Sequence, residues 1–112
     1  LQIKKIIKET NKSFDIAKDH LDKQKNDSFY AEVYKLWTNY LSNKFKIETA
    51  ELNRDKINEK LAKNEIDKND IKSLTDILNH CEIAQYSPLS SEDAKNSYDQ
   101  SKILFNKFEK NG

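Results

Sequence analysis

His80 and Cys81, neighbours in the sequence, are the side chains best suited to bind a metal ion. Imidazole and thiolate groups both coordinate zinc, but adjacent residues on a helix point about 100° apart, so these two cannot easily share one ion. His20 is far away in the sequence, and the chain contains neither a Cys-x-x-Cys nor a His-Glu-x-x-His spacing. We therefore predict no metal site and no cofactor, and we expect a protein that is not an enzyme.

Cys81 also lies on an apolar stripe of helical spacing, which favours a small core residue over a nucleophile. The stretch Asp67-Lys68-Asn69-Asp70 resembles the start of a calcium loop, but it lacks the glycine at position six and the glutamate at position twelve. A helix cap followed by a solvated turn is the better interpretation. The only glycine is the terminal Gly112, so the chain has no glycine-rich phosphate loop.

The stretch from Phe29 to Ile47 carries two adjacent apolar stripes at helical spacing. One stripe comprises Phe29, Val33, Leu36 and Tyr40, and the other comprises Tyr30, Tyr34, Trp37 and Leu41. The rest of the helix surface is a narrow polar stripe that consists of Glu32, Lys35, Asn39 and Asn43. A helix with so wide an apolar arc must contact neighbours on several sides. We therefore predict that it is the central helix of an all-α domain.

The aromatic residues of this helix allow two interpretations. They can simply fill the core, or an edge formed by Tyr30, Tyr34 and Trp37 can open as an anchor groove for a partner protein. We select Tyr30 and Tyr34, joined by Tyr86 from a later segment, as candidate partner-binding residues. The alternative is that all three tyrosines bury their rings and point their hydroxyls to water.

Length and composition narrow the class of protein. With 112 residues, the chain has room for one modest core, and its single glycine and single proline favour helices. Twenty basic and nineteen acidic residues are interleaved along the sequence, so we expect no binding of nucleic acid. One cysteine cannot form an internal disulfide, which favours a reducing compartment. No run of about 18 apolar residues is present, and Leu1 is not a native start, so we expect a fragment of a longer protein.

Periodicity and capping residues predict five helices. The first covers about residues 2–23, with an inner face made of Ile3, Ile6, Ile7, Thr10, Phe14, Ala17 and Leu21. Four lysines lie on or beside its opposite face: Lys4, Lys5, Lys8 and Lys12. This face is either simply solvated or, if a membrane span precedes it, the cytoplasmic flank of that span. We predict Asp27, Asn53 and Asp67 as N-caps of helices two to four. For the fifth helix the N-cap is either Ser90, with Asp93 completing a variant capping box, or Ser91 alone.

The later helices have shorter inner faces. Ile57 and Leu61 turn inward on the third, the fourth carries Ile71, Leu74, Ile77, Leu78 and Cys81, and the fifth carries Ala94, Tyr98, Ser101, Phe105 and Phe108. We expect the segment 81–88 to leave the fourth helix and pack back on the core through Ile83 and Tyr86, because Pro88 disfavours α geometry at Ser87. The fold prediction is a single domain, 1–112, built as a compact bundle of about five helices around the aromatic-rich one.

Three segments resemble one known family in their order and spacing. They are Phe29-Tyr30 with Leu36-Trp37-Thr38-Asn39-Tyr40-Leu41-Ser42-Asn43-Lys44, then Leu52-Asn53-Arg54-Asp55, and finally Cys81-Glu82-Ile83-Ala84-Gln85-Tyr86-Ser87-Pro88. Together they resemble the C-terminal helical region of BatD-type proteins, the Bacteroides aerotolerance (oxygen-tolerance) family. The last segment in that family usually reads Cys-Glu-Phe-Ala-Arg-Tyr-x-Pro. The chain departs from the family pattern at Gln85 (usually Arg), Ile83 (usually Phe) and Asn39 (usually Gly).

The resemblance implies a membrane-anchored parent protein in bacteria, with this helical domain on the cytoplasmic face of the inner membrane. In that family the membrane contact is made by a span that precedes the helical domain and is absent from this chain. The implied partners are MoxR-type AAA+ ATPases and von Willebrand A-domain proteins, and no small-molecule substrate is implied. We therefore expect a non-enzymatic protein-interaction domain. The alternative is a binding module of unrelated function, either tetratricopeptide-like, although no fixed-period repeat is present, or helix-turn-helix-like through helices three and four.

Overall fold

The computed structural model describes residues 2–111, and the side chains of residues 4–110. Five α-helices form a bundle: α1 (Gln2–Asp22), α2 (Asn26–Lys44), α3 (Arg54–Lys63), α4 (Lys68–Ile83) and α5 (Ser91–Asn111). A short 3-10 turn, Thr49–Glu51, lies between α2 and α3, and the described residues contain no strand. This confirms the predicted all-α fold. None of the described helices combines the length and apolar character that a membrane crossing requires.

Helix α2 is central because its apolar arc is covered on several sides. It contacts α1, α4 and α5. Its buried residues are Phe29, Tyr30, Val33, Leu36, Trp37, Tyr40 and Leu41. Both predicted stripes are therefore used, with Tyr34 half-buried at the margin. On α1, Thr10, Phe14 and Ala17 are buried as expected, whereas the side chain of Ile3 lies outside the described residues.

Hydrogen bonds and ion pairs of side chains show how α2, α4 and α5 run relative to one another. Helices α2 and α5 run parallel, because Asn26 donates to the Leu89 carbonyl at one end (3.1 Å) and Lys44 contacts Glu109 at the other (3.0 Å). Helix α4 runs antiparallel to α5, since Lys107 pairs with Asp70 at 3.1 Å. We call the end that contains Asn26 and the last turn of α4 the groove end. The end that contains Lys44 and Glu109 is the closed end.

Three of the predicted N-caps are confirmed. Asn53 Oδ1 accepts from the Lys56 amide at 2.9 Å, Asp67 Oδ1 from the Asn69 amide at 2.7 Å, and Ser90 Oγ from the Asp93 amide at 3.0 Å. Each cap satisfies an amide that the first turn of a helix leaves without a partner.

The predicted cap at Asp27 is wrong. Helix α2 begins at Asn26, two residues earlier than a cap at Asp27 implies, and Lys25 occupies the cap position without a side-chain hydrogen bond. A tight turn after α1 decides this start, because the Lys25 amide donates to the His20 carbonyl at 2.9 Å. Gln24 adopts a left-handed conformation in that turn, with φ of 57°.

Left-handed residues also follow the next two helices. Lys46 comes after α2 with φ of 57°, and Glu65 comes after α3 with φ of 60°. Glycine usually occupies such positions because it has no Cβ to clash with the backbone. The only glycine of this chain is at position 112, so residues with long polar side chains adopt the left-handed conformation at its turns instead.

The prediction for segment 81–88 is wrong in its packing. Helix α4 continues to Ile83, and the Ser87 amide still donates to the Ile83 carbonyl at 2.9 Å. Ile83 is 46% exposed and Tyr86 is 88% exposed, so neither side chain packs on the core. The physical reason is helical periodicity: Ile83 lies about 200° around the helix from buried Cys81 and therefore faces solvent.

Candidate partner-binding groove

A groove opens at the groove end, between the first half of α2 and the last turn of α4. Its volume is about 420 Å³, and its walls are Asp27, Tyr30, Ala31, Tyr34, Cys81, Ala84 and Gln85. Aromatic rings and alanine methyl groups make most of the wall apolar, while Asp27 and Gln85 supply polar groups. The short side chains of Ala31 and Ala84 lie where larger residues would fill the space between the helices.

Tyr30 forms the most buried part of the groove. Its side chain is only 2% exposed, and its ring packs edge-on against Phe29 with the ring centroids 5.1 Å apart. Among the described residues, its buried hydroxyl has no hydrogen-bond partner. Burial raises the pKa of this phenol, and the Ser97 side chain opposes that rise, although the two hydroxyls do not meet the geometry of a hydrogen bond.

Cys81 forms the opposite wall and is chemically inert at neutral pH. The residue is 3% exposed, and burial raises the pKa of its thiol to about 12, against a weaker opposing effect of the Arg54 charge. A thiol with so high a pKa stays protonated and is a poor nucleophile. This agrees with the prediction that Cys81 is a core residue.

An ion pair holds the last turn of α4 beside the groove. Arg54 Nη2 lies 2.5 Å from Glu82 Oε1, and Arg54 Nε donates to Asn79 Oδ1 at 3.0 Å. The guanidinium is mostly covered, with 21% of the side chain exposed, whereas Glu82 is 55% exposed. Sequence analysis did not foresee this contact, which joins the segment Leu52–Asp55 to the segment Cys81–Pro88.

The candidate partner-binding residues occupy different environments. Tyr30 and Tyr34 both line the groove, Tyr30 fully buried and Tyr34 half-buried. Tyr86 lies near the same end but outside the groove wall, with its ring exposed to solvent. Trp37 is 0% exposed, which agrees with the interpretation that it fills the core and rules out its place at the groove edge. The sequence analysis did not select Asp27, Ala31, Ala84 or Gln85 as wall residues, because alanines and a polar pair carry no periodic signal.

At the closed end, the polar groups of the buried aromatic residues are engaged in hydrogen bonds. The Tyr40 hydroxyl donates to Glu109 Oε2, and Lys44 Nζ reaches the same oxygen at 3.0 Å. Burial, followed by the bond to Glu109, raises the pKa of Tyr40. Trp37 Nε1 donates to Ser101 Oγ at 3.1 Å, so every polar group of these two buried aromatics has a partner.

The histidines do not join the groove. His80 is exposed and lines a second depression, of about 380 Å³, between α4 and α5, beside Asp76 and Gln100. It is therefore separated from the buried thiol of Cys81, as the angle between adjacent helical residues predicts. Within residues 4–110, no group of three or more His, Cys, Asp or Glu side chains is arranged to hold a metal ion.

Comparison of the chain with protein-family models gives no match, and neither curated proteins nor solved structures give one.

Proposed function

We propose that this chain is a non-enzymatic protein-interaction domain that binds a segment of a partner protein in the groove between α2 and α4. The observation that carries the proposal is the groove itself, an apolar concavity with Asp27 and Gln85 as its polar residues. Protein interfaces have this arrangement, in which a desolvated apolar centre is surrounded by polar groups that remain accessible to water.

The surroundings of the groove support the same proposal. Ile83 and Tyr86, two large apolar side chains, are exposed at the same end of the molecule as the groove, although neither lines it. Large apolar side chains exposed on one part of a surface favour an interaction role for that part of the molecule. Tyrosine suits such a surface because its ring supplies apolar area and its hydroxyl supplies a hydrogen bond.

The resemblance to BatD-type proteins supplies the first partners to test. A MoxR-type AAA+ ATPase and a von Willebrand A-domain protein are the candidates, with the domain placed on the cytoplasmic face of a bacterial inner membrane. The helix-turn-helix-like alternative is less well supported. The pair α3 and α4 is joined by a short turn, but Lys72 of α4 pairs with Asp76 at 3.2 Å and leaves few free cations for phosphates.

The test uses a substitution that fills the groove without touching the core. Ala31 is exposed and lines the groove, so Ala31→Arg places a large side chain in the opening. We expect at least a ten-fold weaker capture of the ATPase or A-domain protein, with a melting temperature within about 2 °C of the wild type. Ala62 on α3 is also an exposed helical alanine, so Ala62→Arg is the matched control with the same change of charge.

The outcomes separate the groove from the rest of the surface. Weaker capture by Ala31→Arg together with unchanged capture by Ala62→Arg supports the groove. Equal capture by both variants and the wild type contradicts it, and failure of the wild type to capture either candidate contradicts the proposed partners.

A further inference from the structure

A second surface lies on α1, at the closed end. Lys4, Lys5, Lys8 and Lys12 are all exposed there. At 100° per residue these four positions fall within an arc of about 100°, and they span about 12 Å of helix. None of the four forms an ion pair with a described residue. We call this set the lysine face.

The second half of the same helix is different. There Lys18 pairs with Asp22 at 2.5 Å and Lys23 pairs with Asp19 at 3.0 Å. Charges that are interleaved along the whole chain are therefore separated along α1, with unpaired cations in the first half and paired charges in the second. The interleaving expected for the chain as a whole therefore does not hold along α1, where the sequence already placed Lys4, Lys5, Lys8 and Lys12 on or beside one face.

Neighbouring helix ends add further positive charge. The first half of α1 lies against the second half of α2, since Ile6 and Thr10 share a crevice with Tyr40 and Asn43. Lys46 follows α2 at this end, and Lys110 occupies the last turn of α5. Lys46 and Lys110 thus add cations at the closed end, where the carboxylate of Glu109 is paired with Lys44 and Glu9 is the one acidic residue within residues 4–12.

We propose that the lysine face binds the surface of a phospholipid bilayer that contains anionic headgroups. The only arginine of the chain is Arg54, which is engaged with Glu82 on α3 and α4, so the face has no guanidinium for bidentate contacts to bases. The stretch 4–12, which includes the residues between these lysines, contains no aromatic side chain for nucleotide stacking. Lysine ammonium groups act as point charges, and several of them on one face suit the diffuse negative charge of a membrane surface.

Vesicle sedimentation tests this proposal with the 112-residue chain. The probes are vesicles of phosphatidylcholine alone and vesicles in which about a third of the lipid is phosphatidylglycerol. We expect binding only to the anionic vesicles, and binding that weakens as salt shortens the range of the attraction. Each lysine near the surface contributes roughly five-fold to the partition coefficient, so Lys4→Gln, Lys5→Gln, Lys8→Gln and Lys12→Gln together reduce binding by 100-fold or more.

A second quadruple variant controls for net charge. Lys56, Lys63, Lys72 and Lys95 are exposed but paired with carboxylates, and their change to glutamine removes the same four charges from other helices. We expect this variant to bind anionic vesicles within two-fold to three-fold of the wild type. The double variant Lys4→Gln, Lys8→Gln provides a milder test, with an expected loss of about 25-fold and an unchanged helical circular-dichroism spectrum.

Three results would overturn the proposal. They are no binding of the wild type to anionic vesicles, equal losses in the two quadruple variants, and tighter binding to a 20-base-pair DNA duplex than to vesicles. The last result would assign the lysine face to nucleic acid instead.

Discussion

Helix α2 buries one tyrosine near each of its ends, and the two hydroxyls differ in their surroundings. At the closed end the Tyr40 hydroxyl donates to Glu109, which also binds Lys44. At the groove end the Tyr30 hydroxyl is equally buried but has no partner among the described residues. A buried polar group without a hydrogen bond costs about 1–3 kcal/mol, so the two ends of one helix are not equally optimised for stability. We infer that the hydrogen-bonded core of the closed end contributes more to the stability of the fold than the groove end does.

The largest expected effect comes from breaking the closed end at Trp37. This side chain is 0% exposed and packs edge-on against Tyr40 and Phe108, with centroid distances of 5.7 and 5.9 Å. We expect Trp37→Ala to lower the free energy of unfolding by about 3–5 kcal/mol, which chemical denaturation would measure. Ile103→Ala is a suitable control because Ile103 is 48% exposed on α5. A loss below about 1 kcal/mol for Trp37→Ala would show that the closed end does not maintain the fold.

The next effect concerns the hydroxyl of Tyr40 alone. Tyr40→Phe keeps the ring but removes the donor to Glu109, a carboxylate that then keeps only Lys44 as its partner. Hydrogen bonds to charged groups contribute about 1.5–3 kcal/mol, so we expect a loss of that size in urea denaturation. An unchanged midpoint would mean that Lys44 alone satisfies Glu109.

Alkaline pH provides a smaller and reversible perturbation of the groove wall. Burial raises the pKa of the Cys81 thiol from 9.0 to about 12, so above pH 9 the folded state binds more protons than the unfolded state. The protonated thiol contributes fully to the free energy of unfolding below pH 9, and this contribution is lost as the pH rises toward 12. The free energy of unfolding falls by about 1.4 kcal/mol between pH 8 and pH 10 for this reason.

Denaturation at a series of pH values would measure this loss, with Cys81→Ala as the control. The variant should show a shallower decline, which reflects the remaining groups whose pKa is raised by burial, Tyr30, Tyr40 and Tyr98. Identical pH profiles for wild type and variant would mean that the thiol ionises equally well in both states.

The smallest expected effect is that of removing the Tyr30 hydroxyl, and it tests the comparison between the two ends of α2 most directly. Tyr30→Phe removes a hydroxyl that has no partner among the described residues, so we expect a change of less than about 0.5 kcal/mol or a modest gain in stability. Measured beside Tyr40→Phe under the same conditions, it isolates the difference between the two ends. A loss as large as that of Tyr40→Phe would show that the Tyr30 hydroxyl is hydrogen-bonded in solution, and the contrast would fail.

Local patterns predicted much of the fold, because they depend on short-range physics. The two apolar stripes of α2 and the caps Asn53, Asp67 and Ser90 depend on neighbours within a few residues. The start of α2 at Asn26 was missed because it depends on how α1 ends, and the exposure of Ile83 and Tyr86 was missed because it depends on how far α4 continues.

The groove was only partly predictable for a related reason. Tyr30 and Tyr34 stand out by type and spacing, whereas Ala31 and Ala84 matter only because two helices bring them to the same opening. The Arg54–Glu82 pair likewise depends on the register between α3 and α4. The four lysines of the lysine face were visible in the sequence, and only their lack of ion pairs with described residues required the structure.

The left-handed residues Gln24, Lys46 and Glu65 have a consequence for protein engineering. The left-handed conformation destabilises a residue with a Cβ by roughly 1–2 kcal/mol. Glycine avoids that strain, but its greater freedom in the unfolded state lowers the stability of the fold by about 0.5–1 kcal/mol. Glycine at each turn would therefore yield a net gain of about 0.5 kcal/mol without altering the groove wall or the lysine face. Glycine substitutions at these three turns would thus offset the effect of mildly destabilising mutations elsewhere in the molecule.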